Sequence, residues 1–372
     1  MQTKITEAIA SWDPLGDAQR WRDERFNTLA ASVFRRQFEK NDSYRTFCEN
    51  RGVSPNDIRN YRDIPAAPTD AFKHVRLTTA AEPTRTFRTS GTTAERRGAH
   101  HFETLAVYHA ALAPTFRRFC LPDLASIRML VVAPSARDLP DSSLSFMLDE
   151  LVERYGDAAS AFFVTPTAEG ELRLDIDRLR DALAAAESEE APTMVLGTAF
   201  AFAEFFERCD ASFELPEGSR IMETGGFKGR TKSISKETLY ELFDQRLGVP
   251  RRRCVSEYSM TELSSQAYTD ELWRNHRGLD GNRTGVFQTP PWVRVEIVDP
   301  LDFKPLLEPS SEGLIRWYDL ANTESVVAIQ TSDRGRVVEG GGFRLLGRAD
   351  DAQLRGCSLT IEEIVEASED DR

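Results

Sequence analysis

Cysteine is scarce and scattered in this chain of 372 residues. No two cysteines form a C-x-x-C pair, and none shows the cysteine and histidine spacing of a zinc site. Their odd number and wide spacing argue against a disulfide scaffold and against structural zinc. Four of them lie in or beside apolar stretches, and we expect these four to be small buried side chains. They are Cys48, Cys120, Cys209 and Cys254.

The sequence also lacks a run of eighteen apolar residues, and residues 1–15 lack a basic segment followed by an apolar one. We therefore expect no membrane span and no signal peptide, and we expect a cytoplasmic protein. The net charge of -13 argues against a nucleic-acid-binding surface. With 40% hydrophobic residues, the chain can build the core of one large or two medium domains.

The strongest candidate for a ligand loop lies within residues 87–101, FRTSGTTAERRGAHH. Hydroxyl groups and closely spaced backbone N–H groups surround one glycine there, an arrangement that suits a polyphosphate. No Gly-Lys-Ser/Thr closes the stretch, which excludes a Walker P-loop. Arg96 and Arg97 add positive charge. The alternative is an ordinary turn between a strand at 84–88 and a helix at 104–119. The loop residues are Thr89, Ser90, Gly91, Thr92 and Thr93.

Helical spacing of apolar residues before this loop predicts a helical region, with its aromatic side chains in the core. After it, alternating patterns predict helices and strands of an α/β domain in which helices cover a sheet. Short strands from residue 284 predict a small, mostly antiparallel, β-rich subdomain. The predicted helices lie at 104–119, 142–155 and 176–186, and the polar segment 185–192 is predicted to be an exposed linker. The predicted strands lie at 128–133, 161–164, 194–196, 220–222, 292–298, 313–318, 326–330, 336–338 and 343–346.

Two further candidate sites follow predicted strands of the α/β domain. Ligands of open α/β sheets bind beyond the carboxyl ends of strands, and Gly197 to Phe200 lie at such an end. An acyl pocket at Gly197 and Phe200 is one interpretation, and core packing of Phe200 is the other. The second site is residues 223–230, ETGGFKGR. Its glycine pair permits close approach of a ligand, and its two cations either face an anion or are solvated. The pair is Gly225 and Gly226, and the cations are Lys228 and Arg230.

The segment 256–266, SEYSMTELSSQ, brings three complementary groups together. Tyr258 suits purine stacking, Thr261 a phosphate contact and Glu262 a Mg²⁺ ion. Farther along the chain, TSD at 331–333 and LGRADD at 346–351 are predicted to be tight polar turns. Asp333 would bind a ribose diol and Arg348 a phosphate, unless both are ordinary turn residues.

These motifs, in this order, resemble the adenylate-forming superfamily of acyl-CoA ligases, luciferase and peptide-synthetase adenylation domains. The stretches GGFKGR, EYSMTELSSQ and LLGRADDAQLRGCSL are more closely similar to the LuxE-type acyl-protein synthetases, which activate fatty acids for an acyl-protein reductase. The resemblance covers residues 87–362. It implies the α/β N-terminal-domain architecture of that superfamily, with helix-covered sheets and a small β-rich subdomain.

The resemblance also implies a role for each matching residue. The loop at 89–93 would cradle ATP phosphates, and Tyr258 would lie against adenine. Thr261 would touch the α-phosphate, and Glu262 would hold Mg²⁺. Asp333 would bind the ribose hydroxyls, and Arg348 would contact both the ribose and a phosphate. The family's acyl-accepting cysteine corresponds to Cys357, where neighbouring Arg355 favours the thiolate.

The sequence departs from the superfamily pattern at several places. Ala94, Ser259 and Ser332 stand where the superfamily has glycine. The chain stops shortly after 350–351, so we expect the superfamily's C-terminal domain and its lysine to be absent. Lys228 and Arg230 are the predicted substitutes for that lysine, with Arg96 and Arg97 as competitors.

We therefore expect four regions: a helical N-terminal region at 1–80 packed on the core, an α/β nucleotide- and acyl-binding core at 81–283, a β-rich subdomain at 284–348 and a hinge-like tail at 349–372. The expected enzyme uses ATP and Mg²⁺ to make an acyl-adenylate from a fatty acid. It then captures the acyl group on Cys357 and passes it to an acyl-protein reductase. The alternatives are a phenylacetate-CoA-ligase-like enzyme and an inactive adenylate-binding module.

Overall fold

The computed structural model describes residues 1–17, 20–90, 96–225, 234–279 and 283–349. The described chain forms two compact units. The first contains the described residues of 1–115, 259–267 and 286–349, and the second those of 116–258 and 268–285. Several predicted site residues lie outside the described ranges, namely Gly91, Thr92, Thr93, Gly226, Lys228, Arg230 and Cys357.

The α-helices begin where the sequence supplies capping side chains or a new apolar face. Five are capped by an N-cap side chain that accepts a hydrogen bond from the first turn, which satisfies an otherwise unpaired N–H group. The capping residues are Asn41, Ser142, Asp175, Thr198 and Ser235. The helices are α1 (Gln2–Ala10), α2 (Asp23–Lys40), α3 (Asp42–Asn50), α4 (Ala71–His74), α5 (Ala106–Cys120), α6 (Ser143–Tyr155), α7 (Ile176–Ser188), α8 (Ala199–Arg208), α9 (Lys236–Leu247) and α10 (Glu271–His276).

The predicted linker at 185–192 is wrong in its first half, because α7 continues to Ser188. Alanine and glutamate are strong helix formers, and Ala186 is fully buried in the core of the second unit. Helix propensity and burial together outweigh the polarity of the segment.

The strands alternate with helices in the middle of the chain and follow one another near its end. They are β1 (Ala67–Pro68), β2 (Arg85–Arg88), β3 (Ala99–Phe102), β4 (Arg128–Pro134), β5 (Ala161–Pro166), β6 (Leu172–Leu174), β7 (Thr193–Thr198), β8 (Arg220–Thr224), β9 (Cys254–Tyr258), β10 (Ala267–Thr269), β11 (Phe287–Gln288), β12 (Val293–Val298), β13 (Glu312–Asp319), β14 (Ala328–Val337) and β15 (Phe343–Arg348).

The second unit is built on a mainly parallel sheet. Its strand order is β10-β9-β8-β7-β4-β5-β6. The strands from β9 to β5 are parallel, and β6 runs antiparallel to β5. The central strands are almost continuously buried, as expected for strands that are covered on both faces. This order confirms the α/β prediction.

The first unit contains an antiparallel sheet of strand order β12-β13-β14-β15-β11. Strand β1 pairs with β14 in parallel, and β2 and β3 form a separate antiparallel pair. Aromatic side chains of the N-terminal region pack into its core, as predicted. Trp12 and Trp21 lie against Trp292, with ring centroids 5.4 Å and 6.1 Å apart, and Phe26 contacts Tyr61 at 5.2 Å.

The prediction of tight turns at 331–333 and 346–351 is wrong for the described residues. Thr331 to Asp333 lie within β14, which also joins the two strands predicted at 326–330 and 336–338. Gly347 and Arg348 end β15. Cross-strand pairing overrides the local turn preference of Ser, Asp and Gly, since Asp333 lies opposite Arg348 in the register of the two strands.

The four cysteines that were predicted to be buried are buried, namely Cys48, Cys120, Cys209 and Cys254. Within the described ranges, no helix combines the length and the apolar character that crossing a bilayer requires.

Candidate active site

The two ends of the polyphosphate-loop candidate are tied together in the first unit. The Thr89 hydroxyl accepts a hydrogen bond from the Gly98 N–H at 2.8 Å, and the Thr89 N–H donates to the Gly98 carbonyl at 2.9 Å. The Arg97 side chain donates to the Thr89 carbonyl at 2.6 Å. Thr89 and Arg97 therefore close the base of this loop, between β2 and β3.

His100 of β3 holds the segment that carries Thr261 and Glu262. Its ring has no exposed surface, and Nδ1 lies 2.8 Å from the Thr261 carbonyl oxygen. Burial lowers the pKa of His100 to about 4, against a slight opposing effect of that hydrogen bond. The imidazole is therefore neutral near pH 7, and Nδ1 carries the proton because a carbonyl oxygen only accepts.

A second anchor for the same segment comes from the carboxyl end of β13. Asn322 donates from Nδ2 to the carbonyls of Glu262 and Val326, both at 3.0 Å. Asp319 accepts from the Ser264 N–H at 3.0 Å and from the Ser265 hydroxyl at 2.7 Å. Burial raises the pKa of Asp319 to about 6, while these hydrogen bonds act in the opposite direction. The backbone of residues 261–265 is thus fixed on both sides of Glu262.

The Ser265 hydroxyl has a further partner in the aromatic core. The indole Nε1 of Trp292 donates to it at 3.0 Å. This hydrogen bond joins the anchored segment to the tryptophan cluster of the first unit.

Charged side chains of both signs act on the carboxylate of Glu262. Its side chain is 8% exposed, and burial raises its pKa to about 7. Arg348 and Lys73 oppose that rise, and Asp333 adds to it. Arg348 Nε also lies 3.7 Å from Asp333 Oδ1. The structure therefore brings together Glu262, Asp333 and Arg348, which the sequence predicted, and adds Lys73, which it did not.

The donor set around Glu262 suits Mg²⁺ held jointly with a phosphate ligand. Among the described residues, no group of three or more His, Cys, Asp or Glu side chains is arranged to hold a metal ion. Mg²⁺ is commonly bound by one or two carboxylates together with substrate phosphates and waters. A single anchored carboxylate with cations beside it fits that mode.

In the second unit, Gly225 and Tyr258 lie at the carboxyl ends of neighbouring parallel strands. Thr224 of β8 is in register with Glu257 of β9, and their side chains are hydrogen-bonded. Gly225 has a φ of 74°, and a methyl group placed on it would meet no atom within 4 Å. This glycine provides a left-handed turn beside open space.

A buried polar cluster is centred on Glu223 of β8 and Ser256 of β9, which lie opposite each other in the register of the two strands. Glu223 accepts at Oε1 from the Tyr240 hydroxyl at 3.1 Å and from the Ser256 hydroxyl, and Lys236 Nζ lies 2.9 Å from the same oxygen. Burial raises the pKa of Tyr240 well above its usual value. The cluster fixes the ends of β8 and β9 relative to α9.

Gly197 and Phe200 differ in their surroundings. Gly197 lies opposite Val132 in the register of β4 and β7, and a Cβ there would come within 2.9 Å of Val132 Cβ and of its carbonyl oxygen. Close strand packing therefore requires glycine. Phe200, in the first turn of α8, is 43% exposed. The interpretation of Phe200 as a core residue is wrong, because this position faces away from the stripe that α8 buries.

Sequence reasoning missed Lys73, His100, Asp319 and Asn322 in the first unit, and the Glu223 cluster in the second. Asp319 carried a usable signal, because it directly follows a predicted strand in the same way as Gly197 does, and Asn322 lies three residues farther on. His100 and Lys73 carried none, since their roles depend on which strands pair.

The fold is that of the adenylate-forming ligases. Over 90% of this chain and 79% of the other, it matches 2-hydroxyisobutyryl-CoA ligase in complex with 2-HIB-AMP and CoA, with a TM-score of 0.60 and 16% identity. Over 72% of this chain and 48% of the other, it matches ATP-bound MatB from Rhodopseudomonas palustris, with a TM-score of 0.51 and 17% identity.

The family model described as "Acyl-protein synthetase, LuxE" matches residues 1–366, and the chain belongs to this family. Two relatives bear the name long-chain-fatty-acid–luciferin-component ligase. The protein of Aliivibrio fischeri is 20% identical over 91% of this chain and 88% of its own length. That of Vibrio harveyi is 22% identical over 96% of this chain and 93% of its own length.

Proposed function

We propose that this protein is an ATP-dependent acyl-protein synthetase that acts on a fatty acid in the cytoplasm. The family assignment and the names of the two relatives support the ligase class and the acid substrate. The observation that carries the proposal is the geometry around Glu262. A buried carboxylate on a doubly anchored backbone is influenced by the charges of Lys73 and Arg348.

In the first step, a carboxylate oxygen of the fatty acid attacks the α-phosphorus of ATP. The bond from the α-phosphorus to the bridging oxygen breaks, and pyrophosphate leaves. Asp333 accepts hydrogen bonds from the ribose hydroxyls, Arg348 contacts ribose and phosphate, and Thr261 contacts the α-phosphate. Glu262 would hold Mg²⁺, which supplies charge stabilisation to the phosphates when it is bound. Preorganised charge of this kind lowers the barrier where negative charge develops.

The remaining nucleotide contacts belong to loops that flank the described strands. The loop at 89–93 would cradle the phosphates on its backbone N–H groups. Gly225 and Gly226 would let adenine approach beside Tyr258. Lys228 and Arg230 remain our candidates for a cation near the developing charge.

In the second step, the Cys357 thiolate attacks the acyl carbonyl carbon of the mixed anhydride. A thioester forms, and AMP leaves with the electrons of the broken C–O bond. The acyl group would then pass to a thiol of an acyl-protein reductase. Phe200, with its exposed ring, is our candidate for a contact with the acyl chain, and Gly197 is the second.

The test combines pyrophosphate exchange with intact-mass analysis. We expect a fatty acid to drive exchange of labelled pyrophosphate into ATP, and an acyl adduct to form that hydroxylamine removes. C357S should keep the exchange and lose the adduct. C209A, which alters a buried cysteine, is the matched control and should keep both.

Three results would overturn the proposal, each in a different way. An adduct of wild-type yield on C357S would remove the second step as written. Robust acyl-CoA formation by C357A would favour a CoA ligase, in line with the CoA-bound structural neighbour. A complete lack of exchange with every acid tested would leave an adenylate-binding module.

A further inference from the structure

Lys73 lies in a segment that runs toward the Glu262 site along a strand. Strand β1 pairs in parallel with β14, with Ala67 opposite Ile329 and Pro68 opposite Gln330. The Thr69 N–H extends the pairing, since it donates to the Gln330 carbonyl at 3.0 Å. Because parallel strands advance together, the chain reaches α4 where β14 reaches Asp333.

Helix α4 is held against the same histidine that anchors Thr261. Phe72 is 3% exposed, and its ring centroid lies 5.8 Å from that of His100. His100 in turn holds the Thr261 carbonyl at 2.8 Å. The burial of Phe72 therefore fixes α4, and with it the base of the Lys73 side chain, relative to the Glu262 segment.

The ammonium group of Lys73 has a nearby resting partner. Its Nζ lies 2.6 Å from Asp70 Oδ1, and both side chains are partly exposed. His74 Nε2 lies 3.1 Å from the other Asp70 oxygen. The Lys73 charge also acts on the buried Glu262 carboxylate, as the charge of Arg348 does. An exposed ion pair of this kind is weak, about 0.2–1 kcal/mol, so the ammonium group can leave it for a stronger anion.

We propose that Lys73 binds a phosphate oxygen of the nucleoside triphosphate at the Glu262 site, and that Asp70 holds its ammonium group when the nucleotide is absent. This assignment rests on the proposed function for the identity of the ligand. A lysine is suited to it, because its flexible stem carries a compact charge over several ångströms. Arg97 is one of the cations considered from the sequence. Its Nε donates a hydrogen bond to the Thr89 carbonyl at 2.6 Å.

The test measures equilibrium binding of Mg-ATP by calorimetry, and then pyrophosphate exchange, on K73M and K73R. We expect K73M to weaken ATP binding by about tenfold or more, as for the loss of a hydrogen bond to a charged group. K73R should retain part of the affinity. The matched control is K304M, which removes a lysine of the same unit whose Nζ lies 2.7 Å from Asp302 Oδ2, and it should bind as the wild type does.

The variant D70N gives a result of opposite sign. It removes the competing carboxylate, so we expect ATP to bind about two- to fivefold more tightly. If the Asp70–Lys73 pair had only a structural role, both K73M and D70N would bind Mg-ATP more weakly than the wild type. The midpoint of thermal unfolding without nucleotide should be similar in all these proteins, because Lys73 and Lys304 are both exposed to solvent.

The outcomes separate this inference from the proposed function. If K73M binds Mg-ATP as tightly as K304M does, the inference is wrong, whatever the exchange assay shows. If the wild type binds ATP and K73M does not, but no acid drives exchange, the inference holds and the proposed reaction fails. If the wild type binds no ATP, both are wrong.

Discussion

At the scale of single residues, the buried histidine of β3 is the clearest case of chemistry set by burial. His100 has no exposed surface, and its Nδ1–H is used to hold the Thr261 carbonyl. Burial lowers its pKa to about 4 from an ordinary value of 6.5. The residue therefore acts as a fixed neutral donor under the active-site segment.

This shift predicts a pH dependence of stability. Between pH 6.5 and about 4 the unfolded chain binds a proton on His100 that the folded chain does not. The free energy of unfolding therefore falls as the pH is lowered through this window, by up to about 3 kcal/mol from this group. Above pH 6.5 the contribution is complete.

Urea unfolding at pH 7.5 and pH 5 measures this effect. H100N places an amide N–H near the position of Nδ1–H and does not titrate. We expect the stability difference between the two pH values to be smaller in H100N than in the wild type. An equal pH dependence in both proteins would show that His100 is not the titrating group.

Residue type alone was enough to select Tyr258, Thr261, Glu262, Asp333 and Arg348 as candidates. It was not enough for His100 or Lys73. A histidine that follows alanine in a short strand and a lysine in a short helical turn have no distinctive local pattern. Their relation to Glu262 arises from the pairing of β2 with β3 and of β1 with β14, which local sequence does not specify.

At the scale of elements, the segment after β9 is held by the end of β13 rather than by regular structure. Asn322 provides two amide hydrogen bonds, to the carbonyls of Glu262 and Val326. Its side chain is 1% exposed, so water cannot replace these bonds easily.

We expect N322A to lower the free energy of unfolding by about 2–4 kcal/mol, because two buried carbonyl oxygens lose their donors. Pyrophosphate exchange should fall by about tenfold even at temperatures where the variant is folded, since Glu262 loses its anchor. The control N56A alters an exposed asparagine and should change neither quantity. Normal exchange in folded N322A would contradict the proposed role of this anchor.

The contact between β4 and β7 gives a prediction about Gly197. G197A should lower the free energy of unfolding by about 1–3 kcal/mol, because its methyl group would overlap Val132. If Gly197 serves only strand packing, the KM for the fatty acid should stay near the wild-type value in the folded fraction. A raised KM with unchanged stability would instead place Gly197 at the acyl chain.

The first turn of α8 gives the complementary prediction. Because Phe200 is 43% exposed, F200A should change stability by less than about 1 kcal/mol. If its ring contacts the acyl chain, the KM for a long-chain acid should rise severalfold, with little change for a short-chain acid. Equal KM values for F200A and the wild type with the long-chain acid would exclude that contact.

Apolar periodicity was sufficient to predict most alternating elements of the second unit, because its central strands are buried and its helices bury apolar side chains. It failed at β14. That strand contains Ser332, Asp333 and Gly335, which favour turns, and pairing with β13 and β15 holds this part of it extended. Gly335 also leaves room for Ile297 and Ile315, whose side chains would lie within 2.7 Å of a Cβ at this position.

At the scale of the whole molecule, we expect the reactivity of the four described cysteines to differ from that of Cys357. The four described cysteines are buried. Burial raises the pKa of Cys48 to about 12 and that of Cys120 well above its usual value. A thiol must be exposed and ionised to react, so these positions should be inert while the protein is folded.

We therefore expect iodoacetamide to add one label per native chain, at Cys357, and five labels after denaturation. Prior incubation with ATP and the fatty acid should block the native label, because the sulfur is then esterified. Mass spectrometry of the peptides gives the position. Labelling of Cys48, Cys120, Cys209 or Cys254 in the native protein would contradict the buried assignment.

The hydrogen bond from Trp292 to Ser265 gives the enzyme an optical signal of its own. Indole emission depends on the polarity around the ring and on the partner of its N–H group. This indole is hydrogen-bonded to Ser265, which lies three residues after Glu262, the residue proposed to hold Mg²⁺. Stopped-flow fluorescence with excitation near the red edge of tryptophan absorption should therefore follow nucleotide arrival in real time, without a dye.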